Sequence, residues 1–190
     1  MGQISAVGIK KIFYGEITDI TKPITKDEAT KLIKAAKQAG NEVKNVHQDT
    51  WNLEESEASV NGYKNQLNGQ TYRSETTPGE LTPSFSIGQY DYEVKAKFMG
   101  GKVIKGTASG GDEPVIGWER SNEKVEIFKV LYCLTEDDVW FIFPKAQIVS
   151  REANTDKAIA IGVKGLIQTP TVEGVSMEYN FDESAVKALV

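Results

Sequence analysis

Near the start of the chain, the spacing of the hydrophobic residues changes from the period of a strand to the period of a helix. Over residues 7–20 apolar and polar positions alternate and β-branched and aromatic residues are common, which predicts a strand. Thr25, followed three positions later by Glu28, forms a capping box, and apolar residues then recur at helical spacing up to Gly40. The pattern predicts one amphipathic helix over residues 25–40, which Gly40 ends in the left-handed conformation.

Beyond this helix the pattern indicates mostly strands. Residues 54–79 are polar and predict a long hairpin, whose middle is rich in Gly, Asn and Gln and is expected to be mobile. Residues 81–87 alternate like a half-buried strand, and apolar residues four apart predict a short second helix over residues 90–98. Further strands are predicted over residues 115–118, 124–134, 139–149, 157–169 and 175–181, followed by a short helix from Asp182.

The two middle strands of this series, residues 124–134 and 139–149, flank a polar turn and predict an antiparallel hairpin. Both faces of each strand are apolar, so the hairpin must be covered on both sides. One interpretation places the amphipathic helix over the second face, and the other leaves that face for a second copy of the chain. The latter predicts an oligomer interface at four residues: Phe128, Val130, Trp140 and Ile142. One face of residues 139–149 is predicted to carry Trp140, Ile142, Ala146 and Ile148 together.

These elements predict a mainly β (α+β) fold: a β-sandwich or partly closed barrel of antiparallel strands with one flanking α-helix and a long hairpin. The length of 190 residues fits a single domain over residues 1–190, and 39% hydrophobic with 26% charged residues excludes a disordered chain. The net charge is -5 and no basic cluster exceeds a pair of lysines, which argues against tight nucleic-acid binding. No apolar run approaches the roughly 20 residues of a spanning helix, and residues 1–15 lack a signal-peptide pattern, so we expect neither export nor membrane insertion.

Candidates for chemistry are few. The single cysteine, Cys133, lies in an apolar stretch far in sequence from the single histidine, His47, and is expected to be a buried, inert thiol. Glu54, Glu55 and Glu57 fit a charged, solvated hairpin better than a glycosidase pair, because successive strand residues point to opposite faces. The sequence therefore predicts no catalytic residue, no cofactor site and no metal site, and so a protein that is not an enzyme.

The order of elements resembles that of a known family. A strand entry VGIKKIFYGEI is followed by a polar hairpin leading into ELTPSFSIGQYDYEVKAKFMGGKVI, and then by EPVIGWERSNEKVEIFKVLYCLTEDDVWFIFPKAQIVSREANTDKAIAIGVKGLIQTP. This series is similar to the major tail tube proteins of long-tailed bacteriophages, over residues 7–170 without the helix segment. The strongest part runs from Trp118 to Pro170, and it includes a long hairpin, the step Phe143-Pro144-Lys145-Ala146 and a later strand ending in Thr169-Pro170.

The resemblance implies a structural subunit of phage or prophage origin that has no catalytic activity. Copies of the subunit would form hexameric rings that stack into a tail tube and bind other tail proteins, and DNA would pass through the lumen without specific binding. The subunit would be made in the cytoplasm of the bacterial host and end in the tail of the virion. The polar hairpin would contact the next ring through Asn61, Tyr63, Asn65, Gln66 and Asn68.

The residues alone are also compatible with a second class of function. The chain could be a monomeric β-sandwich that serves as a binding module for carbohydrate or for a protein partner. The aromatic residues that could line a sugar-binding face are Tyr90, Tyr92, Trp118 and Trp140. Formation of rings or tubes at high protein concentration discriminates a tail tube subunit from such a module.

Overall fold

The structure is a computed structural model that describes residues 7–88, 91–107, 113–123, 125–155 and 157–189. The helices are α1 (Lys26–Gln38), α2 (Tyr92–Met99) and α3 (Glu183–Val186), and Ile17–Asp19 forms a 3₁₀ turn. The strands are β1 (Lys11–Gly15), β2 (Asn52–Glu55), β3 (Ser59–Lys64), β4 (Thr71–Thr77), β5 (Leu81–Ile87), β6 (Lys102–Lys105), β7 (Val115–Glu119), β8 (Ile127–Leu134), β9 (Val139–Thr155), β10 (Ala158–Ile167) and β11 (Tyr179–Asp182). Strands hold 45% of the residues and helices 16%, which confirms the predicted mainly β class.

Seven strands form one antiparallel sheet in the order β1-β8-β9-β10-β5-β2, with β11 paired to the first part of β9. β8 and β9 form the predicted hairpin, in a register that pairs Ile127 with Ile148. A hydrogen bond of 3.1 Å from the Asp138 amide to the Thr135 carbonyl closes its turn. Among the described residues β3 pairs with β4 alone and β6 with β7 alone, so two small hairpins extend from the main sheet.

The main sheet curls towards a barrel without closing. The segment that connects α1 to β2, residues 39–51, crosses the gap between β1 and β5. Two isolated bridges join this segment to the two sides of the gap, one between Phe13 and Glu42 and the other between Val46 and Ile87. Among the described residues, only these two single bridges, and no full strand, connect the two sides of the gap. The sheet is therefore a partly closed barrel, which is one of the two predicted architectures.

The inner side of the curled sheet holds the first hydrophobic cluster, named the inner cluster. Its buried members come from five strands, the crossing segment and α2: Ile12, Tyr14, Val43, Phe85, Ile87, Phe98, Leu131, Cys133, Phe143, Ala146, Ile148, Ile161, Val163 and Ile167. Phe98 of α2 is fully buried, and its ring meets the Tyr14 ring edge-on at 5.1 Å between centroids. α2 therefore packs its apolar side into the barrel-like sheet, as the spacing of its apolar residues predicts.

α1 covers the outer face of β1, β8 and β9. It begins at Thr25, whose hydroxyl accepts a hydrogen bond of 3.4 Å from the Glu28 amide, and it ends before Gly40, which has a φ of 70°. The helix predicted over residues 25–40 is therefore present. Its buried stripe joins strand residues and the C-terminal residues in the helix-side cluster: Phe13, Ile20, Ile24, Ala29, Ile33, Ala36, Val130, Tyr132, Leu134, Trp140, Ile142, Val175, Val186 and Ala188. α1, with 13 residues, is the longest helix that the structure describes, and no described helix is long and apolar enough to cross a membrane.

A β-bulge in β9 changes the facing of its second half. β9 carries one residue more than β8 beside Pro144, where the register of the pair shifts. Proline has no amide to donate to the ladder, and a bulge is one of the few places where a central strand accepts it. Four residues were wrongly predicted to share one face, because the bulge shifts the alternation: Ala146 and Ile148 join the inner cluster, whereas Trp140 and Ile142 join the helix-side cluster.

Several strand boundaries also differ from the prediction. β1 is shorter than the strand predicted over residues 7–20, since the 3₁₀ turn follows it. β9 runs on to Thr155 and pairs with the whole of β10. β11 holds the last three residues of the strand predicted over residues 175–181 and the position after it. Tyr90 and Lys124, at the ends of two predicted elements, lie outside the described residues.

Candidate assembly surfaces

The structure places most of the predicted oligomer interface inside the chain's own core. Val130, Trp140 and Ile142 are fully buried beneath α1 in the helix-side cluster. The indole nitrogen of Trp140 also donates to the carboxylate of Glu183. A second copy cannot reach these side chains while α1 is in place, so the interface interpretation is wrong at these three residues. The competing interpretation, with the helix over this face, is correct.

Phe128 is the fourth residue of the predicted interface, and it keeps partial exposure. Its side chain is half-buried on β8, and the Lys145 ammonium lies 5.5 Å from the centre of its ring. An interface between permanent subunits commonly buries more than about 2,000 Å², far more than one ring supplies. If the chain associates with itself, another surface must provide most of the contact.

The polar segment folds as a long exposed hairpin, named the arm and defined as residues 52–80. β2 pairs with β5 at the edge of the main sheet, and beyond a short break the two chain segments pair again as β3 and β4. At the break the Ser56 amide donates to the Glu80 carbonyl over 3.0 Å, and the Glu80 amide donates to the Ser56 hydroxyl over 2.8 Å. Every residue of β3 and β4 is exposed. Because an isolated two-stranded hairpin is marginally stable in water, this one gains little from its own packing.

The two faces of β3 and β4 differ in chemistry. On one face the Tyr63 hydroxyl donates to the Glu75 carboxylate over 3.1 Å, and the Arg73 guanidinium lies 5.6 Å from the centre of the Tyr63 ring. The opposite face carries small or β-branched uncharged residues in two cross-strand pairs: Val60 with Thr76, and Gly62 with Ser74. The first face holds these charged and aromatic groups, whereas the two pairs of the opposite side, named the uncharged face, offer a surface without charge to a partner.

The tip of the arm is a compact turn that presents one apolar side chain. The Asn65 amide donates to the Gln70 carbonyl over 2.8 Å, and the Gly69 amide donates to the Asn65 carbonyl over 2.8 Å. The side-chain oxygen of Asn65 also accepts a hydrogen bond of 2.8 Å from the Leu67 amide. Leu67 is nevertheless almost completely exposed. The turn therefore presents the Leu67 side chain to solvent, and no described residue of the same chain covers it.

The residues predicted to contact a next ring all lie in the arm: Asn61, Tyr63, Asn65, Gln66 and Asn68. Asn65 is half-buried within the turn, and the other four are exposed. Three apolar members of the arm were missed, namely Val60, Leu67 and Tyr72, which are 64%, 94% and 71% exposed. The available signal was their isolation in a polar segment, because an apolar residue with no apolar neighbours in sequence has little local surface to pack against.

A charged cluster fastens the β6–β7 hairpin to α2. Lys95 of α2 is buried, with its ammonium 2.6 Å from a carboxylate oxygen of Glu152 and 4.1 Å from the centre of the Trp118 ring. The Trp118 indole nitrogen donates to the Gly100 carbonyl over 2.8 Å. The hydrogen bond from Lys95, together with its positive charge, lowers the pKa of Glu152. These groups are engaged with one another, so the cluster has a structural role.

Cys133 and His47 occupy different settings. Cys133 is fully buried in the inner cluster, as predicted, and burial raises the pKa of its thiol. A buried, protonated thiol is a poor nucleophile and a poor metal ligand. His47 lies in the segment that crosses the barrel gap, where its amide donates to the Ser86 carbonyl over 2.8 Å. Within the described ranges no three His, Cys, Asp or Glu side chains lie close enough together to hold a metal ion.

The aromatic residues considered for sugar binding do not share one surface. Trp140 is buried in the helix-side cluster, and Trp118 packs against Lys95 of α2. Tyr92 is exposed at the start of α2, and Tyr90 lies outside the described residues. These positions give no continuous platform for a sugar ring in the part of the chain that the structure describes.

Comparison with known proteins adds no relative. A scan of the chain against models of known protein families finds no match, and a search of the curated proteins finds none either. A functional conclusion must therefore come from the residues and geometry of the chain itself.

Proposed function

We propose that the chain is a structural subunit of a phage tail tube. Copies of the chain assemble into rings, hexameric by the family resemblance, and the rings stack to form the channel through which DNA passes. The observation that carries the proposal is the arm, in which all six residues of β3 and all seven of β4 are exposed. A two-stranded hairpin of this kind is stabilised when a neighbouring subunit covers it.

The rest of the fold supports a role in assembly. The inner and helix-side clusters cover both faces of β8 and β9 within one chain, so the subunit has a complete core of its own. Head-to-tail contacts around a ring also cover free strand edges, which otherwise invite aggregation. In this role the chain has no catalytic activity and lies in the tail of the virion. Other tail proteins are its further partners.

Electron microscopy of negatively stained protein over a range of concentrations tests this proposal. Rings or tubes with a central channel are expected at high concentration, together with sedimentation that depends on concentration. A protein that sediments as a monomer at every concentration contradicts the proposal. Saturable binding of a glycan by that monomer would instead favour a carbohydrate-binding module.

A further inference from the structure

The arm and the region of α1 carry equal and opposite net charges. Residues 52–80 contain five acidic and two basic residues, which gives the arm a net charge of -3. Residues 21–40, which include α1 and its approach, contain five lysines and two acidic residues, a net charge of +3. α1 packs on β1 and α3, whereas β2, which carries the arm, pairs with β5. Among the described residues no ion pair joins the two charged segments, so they do not neutralise each other within one chain.

The carboxylates at the base of the arm form no ion pair with a described residue. Glu54 and Glu55 end β2, Glu57 lies in the break that follows, and Glu80 is hydrogen-bonded to Ser56 at the same break. All four glutamates are exposed, and none forms an ion pair with a residue in the described ranges. Like charges held close together repel one another, and an approaching cationic surface relieves this repulsion.

The lysines of α1 provide such a surface. Lys31 and Lys34 form no ion pair with a described residue, and the Lys37 ammonium donates only to the Leu189 carbonyl, over 3.0 Å, among described partners. The rise of 1.5 Å per helical residue separates Lys31 from Lys37 by about 9 Å along the axis. Residues 54–57 of the arm cover about 10 Å at roughly 3.3 Å per strand residue. The two charged patches are therefore opposite in sign and similar in net charge and in length.

We infer that the acidic base of the arm in one copy docks on the lysines of α1 in a second copy. The inference rests on the proposed function, since it names two surfaces through which the subunits meet. The contact is head-to-tail because its two sides are different surfaces, and contacts of this type generate a ring when the rotation between copies closes. The charged contact sets orientation and association rate, while Leu67 and the uncharged face of the arm add apolar area.

A charge-swap experiment tests the pairing, with sedimentation of the full-length chain as the readout. The arm variant carries Glu55→Lys and Glu57→Lys, and the helix variant carries Lys31→Glu and Lys34→Glu. Each variant alone places like charges opposite one another and is expected to weaken association more than about tenfold. The chain that combines both variants is expected to associate almost as the wild type does, because opposite charges face each other again.

Two controls make the result interpretable. A control variant with Lys44→Glu and Lys102→Glu changes the net charge as much as the helix variant does, at exposed lysines elsewhere, and is expected to associate normally. Circular dichroism separates loss of association from loss of folding. If the helix variant does not fold, Lys31→Glu alone replaces it in the same scheme.

The outcomes separate this inference from the proposed function. Single-sided variants that associate like the wild type overturn the inference and leave self-assembly intact, and so does a combined variant that gains nothing over its parents. Association that does not weaken as salt shortens the Debye length, about 10 Å at 0.1 M, also contradicts a charged contact. A wild-type chain that is monomeric at every concentration removes the proposed function as well.

Discussion

Two regions of the molecule are built from antiparallel strands and differ in how they are covered. Beneath α1, the strand residues Val130, Trp140 and Ile142 are fully buried, whereas β3 and β4 of the arm leave every residue exposed. The first region is stabilised by apolar burial, at roughly 25 cal/mol per Å². The second has its backbone hydrogen bonds and a few local side-chain contacts. The first region is therefore a completed core, and the second is an uncovered surface.

The largest effect is expected from a charge placed in the first region. Ile142→Asp buries a carboxylate among the apolar side chains of the helix-side cluster, none of which carries a positive charge. The cost of a buried, unpaired charge is expected to exceed about 5 kcal/mol, which equals much of the stability of a typical domain. Circular dichroism should show an unfolded or aggregated chain.

The matched change in the second region is Val60→Asp on the uncharged face of the arm. Val60 is exposed, so this variant is expected to change the free energy of unfolding by no more than about 0.5 kcal/mol. Urea denaturation of both variants measures the difference. A folded Ile142→Asp chain, or a Val60→Asp chain that unfolds, would show that the two regions are assigned the wrong way round.

A truncation at the contact between α1 and the sheet sharpens the comparison. Ile33 is fully buried on α1, and Ile33→Ala removes its contacts with the strands and leaves a cavity. Such a substitution typically costs about 2–5 kcal/mol. The midpoint of urea denaturation should fall accordingly. Leu67→Ala at the tip of the arm is the control, and its midpoint should equal that of the wild type.

Local sequence signals predict the helix-covered region well. One short segment contains all the signals of α1: the capping residue Thr25, the apolar stripe and the terminal Gly40. The two long apolar strands flank a short polar turn, and this pattern predicts that they pair. The pattern could not decide which body covers the second face, because a helix of the same chain and a second copy bury the same residues. It also missed the bulge beside Pro144, since regular alternation carries no information about where the ladder gains a residue.

The arm shows the opposite limit of sequence reasoning. Its polar composition correctly predicts an exposed hairpin, and the residues named for contact with a partner do lie there. Val60 and Leu67 were missed because their isolation in a polar segment is a weak signal beside the regular apolar stripes of the core elements, and the folded chain is needed to show that they are exposed. The charge match between the arm and α1 was equally invisible, since it depends on where the topology places two segments.

A smaller effect is expected at the start of α1. Thr25→Ala removes the hydroxyl that accepts the Glu28 amide and is expected to lower the free energy of unfolding by about 1 kcal/mol. Thr25→Ser keeps an accepting hydroxyl and should retain most of the stability. Equal denaturation midpoints for the alanine variant and the wild type would mean that the cap contributes nothing to holding α1 on the sheet.

The β6–β7 hairpin lies between the two extremes, since it is largely exposed but its Trp118 packs against Lys95 of α2, which forms an ion pair with Glu152 of β9. The lowered pKa of Glu152 in the folded chain means that its ion pair stabilises the fold above the ordinary glutamate pKa, about 4.3, and that this contribution is lost as the pH falls through the lowered value. At pH 7 the melting temperature of the wild type should therefore be higher than that of the Glu152→Gln variant. The two melting temperatures should converge in acid. A difference that stays constant with pH would contradict the role of this ion pair.

The smallest effect on the subunit itself is expected from shortening the arm. Deletion of residues 61–69 removes the tip and four of the six residues of β3. None of these residues packs in either hydrophobic cluster, so the free energy of unfolding should stay within about 0.5 kcal/mol of the wild type. Ordering each arm residue costs about 1–2 kcal/mol of backbone entropy, which little apolar burial offsets in the single chain. Amide hydrogens of the arm should therefore exchange rapidly in the monomer and become protected on assembly. Electron microscopy of the deletion variant should show folded subunits without tubes, and normal tubes would mean that the arm is not the surface through which the chain assembles.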